Sequence, residues 1–284
     1  MDASLSFSSL GFGCASLWAS RLVPETQALA LIQQAIEGGI NYFDTGASYG
    51  CGLGETRLGK AISEHPREQL IISTKAGTLC KGWGKKRKDF SAAAVYDSLQ
   101  RSLQRLQQDY VDILYLHGPE ANDITDTLLH KLEDIKSEGL ARTIGINSFN
   151  PDFVKLAVEQ YPIFSVYMIE YNVYNAHNLP LAEWLKEQGK YVVAGAALGR
   201  AIYTNNHYHI YRPKNLWYWL RSLKSDHSYN KAAVDLHQTN QTSLSPIQKA
   251  LQYVTTTNCI DSAVFNTTST QHLHENLAAL IHSD

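Results

Sequence analysis

Residues 111–117 read Val-Asp-Ile-Leu-Tyr-Leu-His (VDILYLH), an apolar run that stops on a histidine. Its Val, Ile, Leu and Tyr are the composition of a strand buried on both faces, as in a parallel sheet. Working outward, the same grammar recurs upstream. INYFD (residues 40–44) stops on Asp44, and LIISTK (residues 70–75) stops on Lys75. Tyr49 follows the first of these in the turn TGASYG. In an α/β barrel the strands are core, and polar residues at their carboxyl ends point into the site. Four such residues at corresponding places are hard to obtain from packing alone.

The rest of the chain keeps the rhythm. Strands are expected at 10–17, 40–45, 70–75, 111–117, 141–146, 164–170, 191–197 and 261–265. Helices are expected at 24–38, 55–64, 91–108, 124–138, from 151, 179–188, 245–255 and 270–282. Pro24, Pro151 and Pro246 open helices, Ser91 caps one, and Gly38, Gly139 and Gly189 close others. Eight strand–helix units without a Gly- or Pro-rich linker predict one (β/α)8 TIM barrel domain over residues 1–284. The exception is Arg200 to Leu244, after strand seven, which carries Tyr203, Tyr208, Tyr211, Trp217, Tyr218, Trp219 and Tyr229. So aromatic an insertion argues against disorder and for a partly helical excursion folded over the mouth of the site.

Composition narrows the function. The 284 residues carry 25 Lys and Arg against 27 Asp and Glu, a formal net charge of −2. That balance offers no electrostatic footprint for nucleic acid or an anionic membrane. No apolar stretch approaches the roughly 18 residues of a membrane span. The start, MDASLSFSSL, lacks the basic and apolar regions of a secretory signal. The basic run KGWGKKRK (81–88) reads first as a solvated loop and second as a lure for an anionic ligand. Cys14, Cys51, Cys80 and Cys259 show neither metal-ligand nor CxxC spacing, so reduced thiols in a cytoplasmic protein are expected. His207 and His209 in HYHI read as loop surface, and no metal is expected. GETRLGK lacks the Gly-Lys-Ser/Thr ending of a phosphate loop.

Asp, Tyr, Lys and His make a coherent chemical set. A phenol titrates near about 10 and is a weak acid at neutral pH. A nearby ammonium such as Lys75 favours phenolate and makes Tyr49 a better proton donor. Asp44 would hold Lys75 charged and oriented, and His117 would donate a hydrogen bond to a developing alkoxide. Such general acid catalysis contributes roughly 10²–10⁴-fold. None of the four supplies a reductant, so a hydride cofactor is implied. Read singly, a strand-end Asp44 or His117 is more often a satisfied structural residue, Tyr49 could be a rim aromatic, and Lys75 could be a Schiff-base lysine as in barrel aldolases. The joint pattern favours the proton-donating site.

INYFDTGASYGCGLGETRLGKAI, LIISTKAG and VDILYLHGPE resemble the three signature blocks of the aldo-keto reductases, and the likeness runs from LGFGCASLW to HLHENLAAL. The resemblance implies a (β/α)8 barrel that reduces an aldehyde or ketone, or oxidises the matching alcohol, with a nicotinamide dinucleotide. It assigns Tyr49 as general acid, Lys75 as the group lowering its pKa, Asp44 as the partner of Lys75, and His117 as the group orienting the carbonyl.

The same resemblance implies the cofactor contacts. Gly13 and Cys14 follow strand one, and Asp44 also lies beside the cofactor. Asn147-Ser148 stand where the family has Ser-Asn for the carboxamide, Met168 where it has Gln, and Gly195 where it has a ring stacking on the nicotinamide. Loss of that ring is worth on the order of 1 kcal/mol. Leu198, Gly199 and Arg200 occupy the pyrophosphate-loop position. Asn266, Thr267, Thr268 and His272 occupy the strand-eight phosphate loop, and Glu275-Asn276 the adenine-reading pair. Because Asn266 and His272 stand where Lys or Arg clamp a 2′-phosphate, NADP(H) and NAD(H) are expected near evenly. Trp18, Trp83 and Trp217 are expected to wall a small carbonyl or alcohol substrate, in a monomer or small homo-oligomer. The rival reading is a non-catalytic dinucleotide-binding regulatory barrel.

Overall fold

The computed structural model describes residues 4–81, 86–199 and 244–281. Trp83, Arg200, Trp217, the histidines of HYHI and the aromatic excursion fall outside them. Eight parallel strands close into a barrel in the order β1 (Leu10–Gly13), β10 (Ser262–Phe265), β9 (Tyr191–Gly195), β8 (Phe164–Glu170), β7 (Ala141–Asn147), β6 (Val111–His117), β3 (Ile71–Ala76), β2 (Tyr42–Asp44). Among the described residues, β4 (Thr78–Cys80) and β5 (Lys86–Lys88) pair antiparallel, so the last three residues of the basic run form a strand where a loop was expected.

Helices α1 (Glu25–Glu37), α2 (Leu53–Ile62), α3 (Ala92–Leu106), α4 (Asp126–Ser137), α5 (Pro151–Gln160), α6 (Leu179–Glu187), α7 (Pro246–Thr255) and α8 (Thr270–Ile281) connect or follow the barrel strands. Each inner stripe repeats at helical spacing; in α3 it is Val95, Ser98, Leu99, Ser102, Leu103 and Leu106. Ser91 caps that helix by accepting from the Ala94 amide, and Ser245 with Gln248 forms a capping box on α7.

The period of two along each strand sorts side chains into two layers. Outward residues such as Phe12, Phe43, Ile72, Leu114, Ile146 and Tyr167 pack against the helices. Inward residues Tyr42, Ile71, Ile113, Tyr115, Val166, Met168 and Val193 fill the barrel, with Leu5 among them. Gly11 and Gly145 make room for the two inward tyrosines: a Cβ at Gly11 would lie 2.5 Å from the Tyr42 ring, and one at Gly145 2.7 Å from Tyr115. Continuing the inward series along each strand reaches Asp44, Lys75, His117, Asn147 and Gly195 toward the carboxyl ends.

Two expectations are corrected here. The first and seventh strands are shorter than read, ending at Gly13 and Gly195, because Ser16 and Ala196 turn to positive φ (53° and 55°). Cys51 and Cys80, expected as reduced thiols, are joined in a disulfide, while Cys14 and Cys259 are free and buried. That removes one premise of the cytoplasmic reading. Among the described residues, no helix is long and apolar enough to cross a membrane, and no group of His, Cys, Asp and Glu could hold a metal ion.

Candidate active site

Asp44, Tyr49, Lys75 and His117 converge at the carboxyl end of the barrel. Asp44 ends β2, Lys75 is the penultimate residue of the neighbouring β3, and the two are 3% and 1% exposed. The Lys75 ammonium donates to both carboxylate oxygens of Asp44 and, at 3.0 Å, to the Thr45 carbonyl. Its Nζ lies 5.0 Å from the centre of the Tyr49 ring. Ser73, two residues back on the same face of β3, donates its hydroxyl to Asp44 Oδ1 at 2.7 Å. Tyr42 continues this chain, with its hydroxyl 3.1 Å from Ser73 Oγ and 3.3 Å from the Tyr115 hydroxyl. Ser73 and Tyr42 went unread in the sequence, although the period of two places each beside a residue that was read.

Tyr49 begins a short 3-10 turn (Tyr49–Gly52) in which Gly50, Cys51 and Gly52 all have positive φ, 57°, 55° and 91°. Gly50 is required there, since a Cβ would lie 1.9 Å from the Ala19 carbonyl oxygen. The turn thus holds the phenol over Lys75 and edge-on to the His117 imidazole.

The electrostatics follow from burial and one cation. Burial pushes the Tyr49 phenol above its ordinary 10.0; the Lys75 charge and side-chain hydrogen bond pull it back, and Asp44 pushes it up. The expected lowering by Lys75 is therefore present but outweighed, and Tyr49 stays a protonated phenol. Burial opposes the Lys75 charge, yet Asp44 and Tyr49 hold the lysine above its usual value, so it is a permanent ammonium. His117 is pushed down to about 3, first by burial and then by the Lys75, Lys86 and Lys88 charges. Its imidazole is neutral across the physiological range, and its buried Nδ1 has no hydrogen-bond partner among the described residues.

The other expected site residues divide into those at the mouth and those committed elsewhere. Gly13 pairs in register with Asp44, and the Cys14 amide donates to the Asp44 carbonyl at 2.7 Å. The Cys14 side chain, however, is fully buried between barrel and helices. Asn147 pairs in register with His117 on one side and Met168 on the other, so all three share one level of the mouth. Ser148 and Met168 are both buried, the latter inside the barrel. Gly195 leaves bare backbone, with Met168 Cγ and Phe149 Cε1 3.1 and 3.3 Å from where a Cβ would stand. Leu198 is half-buried, and Gly199 turns at φ 54°.

At the eighth unit, Thr267, Thr268, His272 and Glu275 lie in the loop and first turns of α8, with Asn276 buried behind them. Thr267 Oγ1 accepts from the Ser269 amide at 3.1 Å. The Asn266 amide nitrogen donates to the Gly13 and Ala15 carbonyls, which ties the end of β10 to β1. Trp18 is corrected. It is fully buried, donates Nε1–H to the Ala28 carbonyl at 3.2 Å, and packs edge-on to Phe12. Arg57 of α2 pins this segment through the Trp18, Ser20 and Val23 carbonyls, which is what the Arg of GETRLGK does.

A closed (β/α)8 barrel gathers these ionisable side chains at its carboxyl end, where barrel enzymes carry their sites. The Aldo/keto reductase family model matches residues 9–283, and the chain belongs to that family. It is 32% identical to an L-galactose dehydrogenase of Arabidopsis thaliana, over 98% of this chain and 86% of that protein. It is 29% identical to an uncharacterized oxidoreductase of Bacillus subtilis, over 97% and 88%. Among solved structures, the holo form of an aldo-keto reductase from Bacillus halodurans superposes with a TM-score of 0.78 at 27% identity, over 96% of this chain and 87% of that one. An aldo-keto reductase from Klebsiella pneumoniae in complex with NADPH has the same fold (TM-score 0.73, 20% identity, 97% and 86% covered).

Proposed function

We propose that the chain transfers a hydride between a nicotinamide dinucleotide and a small carbonyl or alcohol, with Tyr49 exchanging the proton at the substrate oxygen. One observation carries the reading: a buried ammonium, Lys75, lies between the Asp44 carboxylate and the Tyr49 phenol. A charge so placed favours phenolate more strongly than it would in water, because the low-dielectric surroundings do not screen it. In reduction, Tyr49 gives its proton to the carbonyl oxygen and the phenolate left behind is held by Lys75. In oxidation, that phenolate takes the alcohol proton. Neutral His117 donates an N–H to the same oxygen, which orients it and leaves Tyr49 as the acid.

The bound dinucleotide supplies the hydride. The residues present fit one. The first turn of α8 carries no acidic side chain, and amides at a helix start favour a phosphate. Thr267, Thr268 and His272 would hold that end, Glu275 and Asn276 the adenine, and Asn147 with Ser148 the carboxamide. Met168 has no strong donor or acceptor to add, and Gly195 brings no ring. Neither Asn266, whose amide nitrogen is bonded to backbone carbonyls, nor His272 is the Lys or Arg that clamps a 2′-phosphate, and this supports comparable binding of NADPH and NADH. We also propose that residues 1–284 form one domain, working in the cytoplasm as a monomer or small homo-oligomer.

The test is a fluorescence titration with NADPH and NADH in parallel, followed by turnover on a panel of aldehydes, ketones and alcohols. Aldoses lead the panel because of the L-galactose dehydrogenase relative. Binding with turnover supports the reading. Tight binding without turnover on any substrate would move the protein to the non-catalytic regulatory class.

A further inference from the structure

The Cys51–Cys80 disulfide joins two segments that both bear on the proposed proton donor. Cys51 sits inside the left-handed turn that begins at Tyr49. Cys80 ends β4, the strand that follows Lys75 and β3, and Thr78 of the same strand donates its hydroxyl to the His117 carbonyl at 2.9 Å. The bond therefore ties the Tyr49 turn to the strand that buttresses His117.

Its surroundings are those of an exchangeable bond. Cys51 is exposed and Cys80 half-buried, so a small thiol can reach the sulfurs. The Cα atoms are 5.3 Å apart, inside the range of about 4.4–6.8 Å in which a bridge closes without backbone movement. Lys81 follows Cys80 in the chain, and Lys86 is its partner across the β4–β5 ladder, so the segment bearing the sulfur is cationic. Cations favour thiolate, which both attacks and leaves in thiol–disulfide exchange. By contrast, burial pushes the Cys14 and Cys259 thiols up and leaves them unreactive.

We propose that Cys51 and Cys80 are a reversible thiol–disulfide site that exchanges with a small thiol of the glutathione type, and that the bond holds the turn bearing Tyr49 in its working position. In closure, the thiolate of Cys80 attacks one sulfur of the small disulfide and expels one small thiolate. The thiolate of Cys51 then attacks the Cys80 sulfur of the mixed disulfide and expels the second. Two protein thiols lose two protons and two electrons, and the small disulfide gains both pairs as two thiols. Opening reverses the sequence: a small thiolate attacks the Cys80 sulfur and expels the Cys51 thiolate, and a second small thiolate attacks the outer sulfur of that mixed disulfide and expels the Cys80 thiolate. The effect on turnover rests on the proposed role of Tyr49; the exchange chemistry does not.

The experiment equilibrates the full chain at graded ratios of glutathione to glutathione disulfide, quenches by alkylation, and maps the cysteines by mass spectrometry. Hydrogen exchange is read in parallel across residues 46–53 and 111–117. The expected result is a reversible passage between linked and doubly alkylated forms. Exchange at 46–53 should be at least about fivefold faster in the reduced form, with 111–117 unchanged. Cys51→Ser should show the faster exchange at every ratio; if it fails to fold, Cys80→Ser gives the same reading. Failure of the bond to form at any ratio, or its formation without change at 46–53, overturns the proposal. On any turned-over substrate, reduction should lower kcat and spare the KM for the dinucleotide. Retained turnover in Tyr49→Phe would remove the proton-donor reading alone, because the alkylation and exchange results are scored separately.

Discussion

Tyr49 and His117 meet edge to face, with ring centroids 5.8 Å apart and planes at 83°. The contact sets a phenol that burial keeps protonated beside an imidazole that burial keeps neutral. Two groups with such different proton affinities divide the labour at one oxygen: the phenol moves the proton and the imidazole aligns the acceptor. Tyr49→Phe keeps the ring and its edge-to-face contact but removes the proton. Carbonyl reduction should fall by roughly 10²–10⁴-fold. Dinucleotide affinity, measured by fluorescence titration, should be nearly unchanged; turnover retained at the wild-type rate would refute the acid role.

His117 makes stability depend on pH. Its native pKa is about 3 against an ordinary 6.5. The unfolded chain therefore takes up a proton as pH falls below 6.5, while the native protein resists until about 3. Native stability from this group is complete above 6.5 and is lost progressively down that window. Urea midpoints at pH 7 and pH 4.5 should differ by more in the wild type than in His117→Gln, which cannot be protonated. Equal differences in the two proteins would count against the assignment.

Asp44 and Lys75 test the cost of an unpaired charge. Asp44→Asn keeps the volume but leaves the buried ammonium with the Thr45 carbonyl and a neutral amide. Breaking a buried pair in this way costs about 3–5 kcal/mol. Chemical denaturation should show that loss at pH 7, together with a fall in turnover larger than the fall in folded fraction. The double variant Asp44→Asn with Lys75→Met should recover part of the stability and none of the activity.

The barrel was legible because its strands are buried on both faces and so read as unbroken apolar runs. Phe164–Glu170 and Val111–His117 end where the apolar runs end. The convergence of Asp44, Lys75 and His117 was legible for the same reason: each is the ionisable residue on which such a run stops. Trp18 was misplaced because an indole suits a pocket wall and a core equally well. Here the carbonyl of Ala28 satisfies its N–H, which no local pattern announces. The backbone bonds of Asn266 were not legible either, since an amide at a strand end can face a ligand or bind the neighbouring strand.

Local chemistry along the chain was enough to specify eight buried strands, their intervening helices, and which residues stand at the strand ends, because backbone period and capping act over a few residues. Closure of the barrel settled the rest. It brought Ser73 and Tyr42 under Asp44, let burial outweigh the Lys75 charge at Tyr49, and set Cys51 5.3 Å from Cys80. Proton affinity and disulfide pairing depend on distance through space and on the exclusion of water, and neither quantity exists until the strands have met.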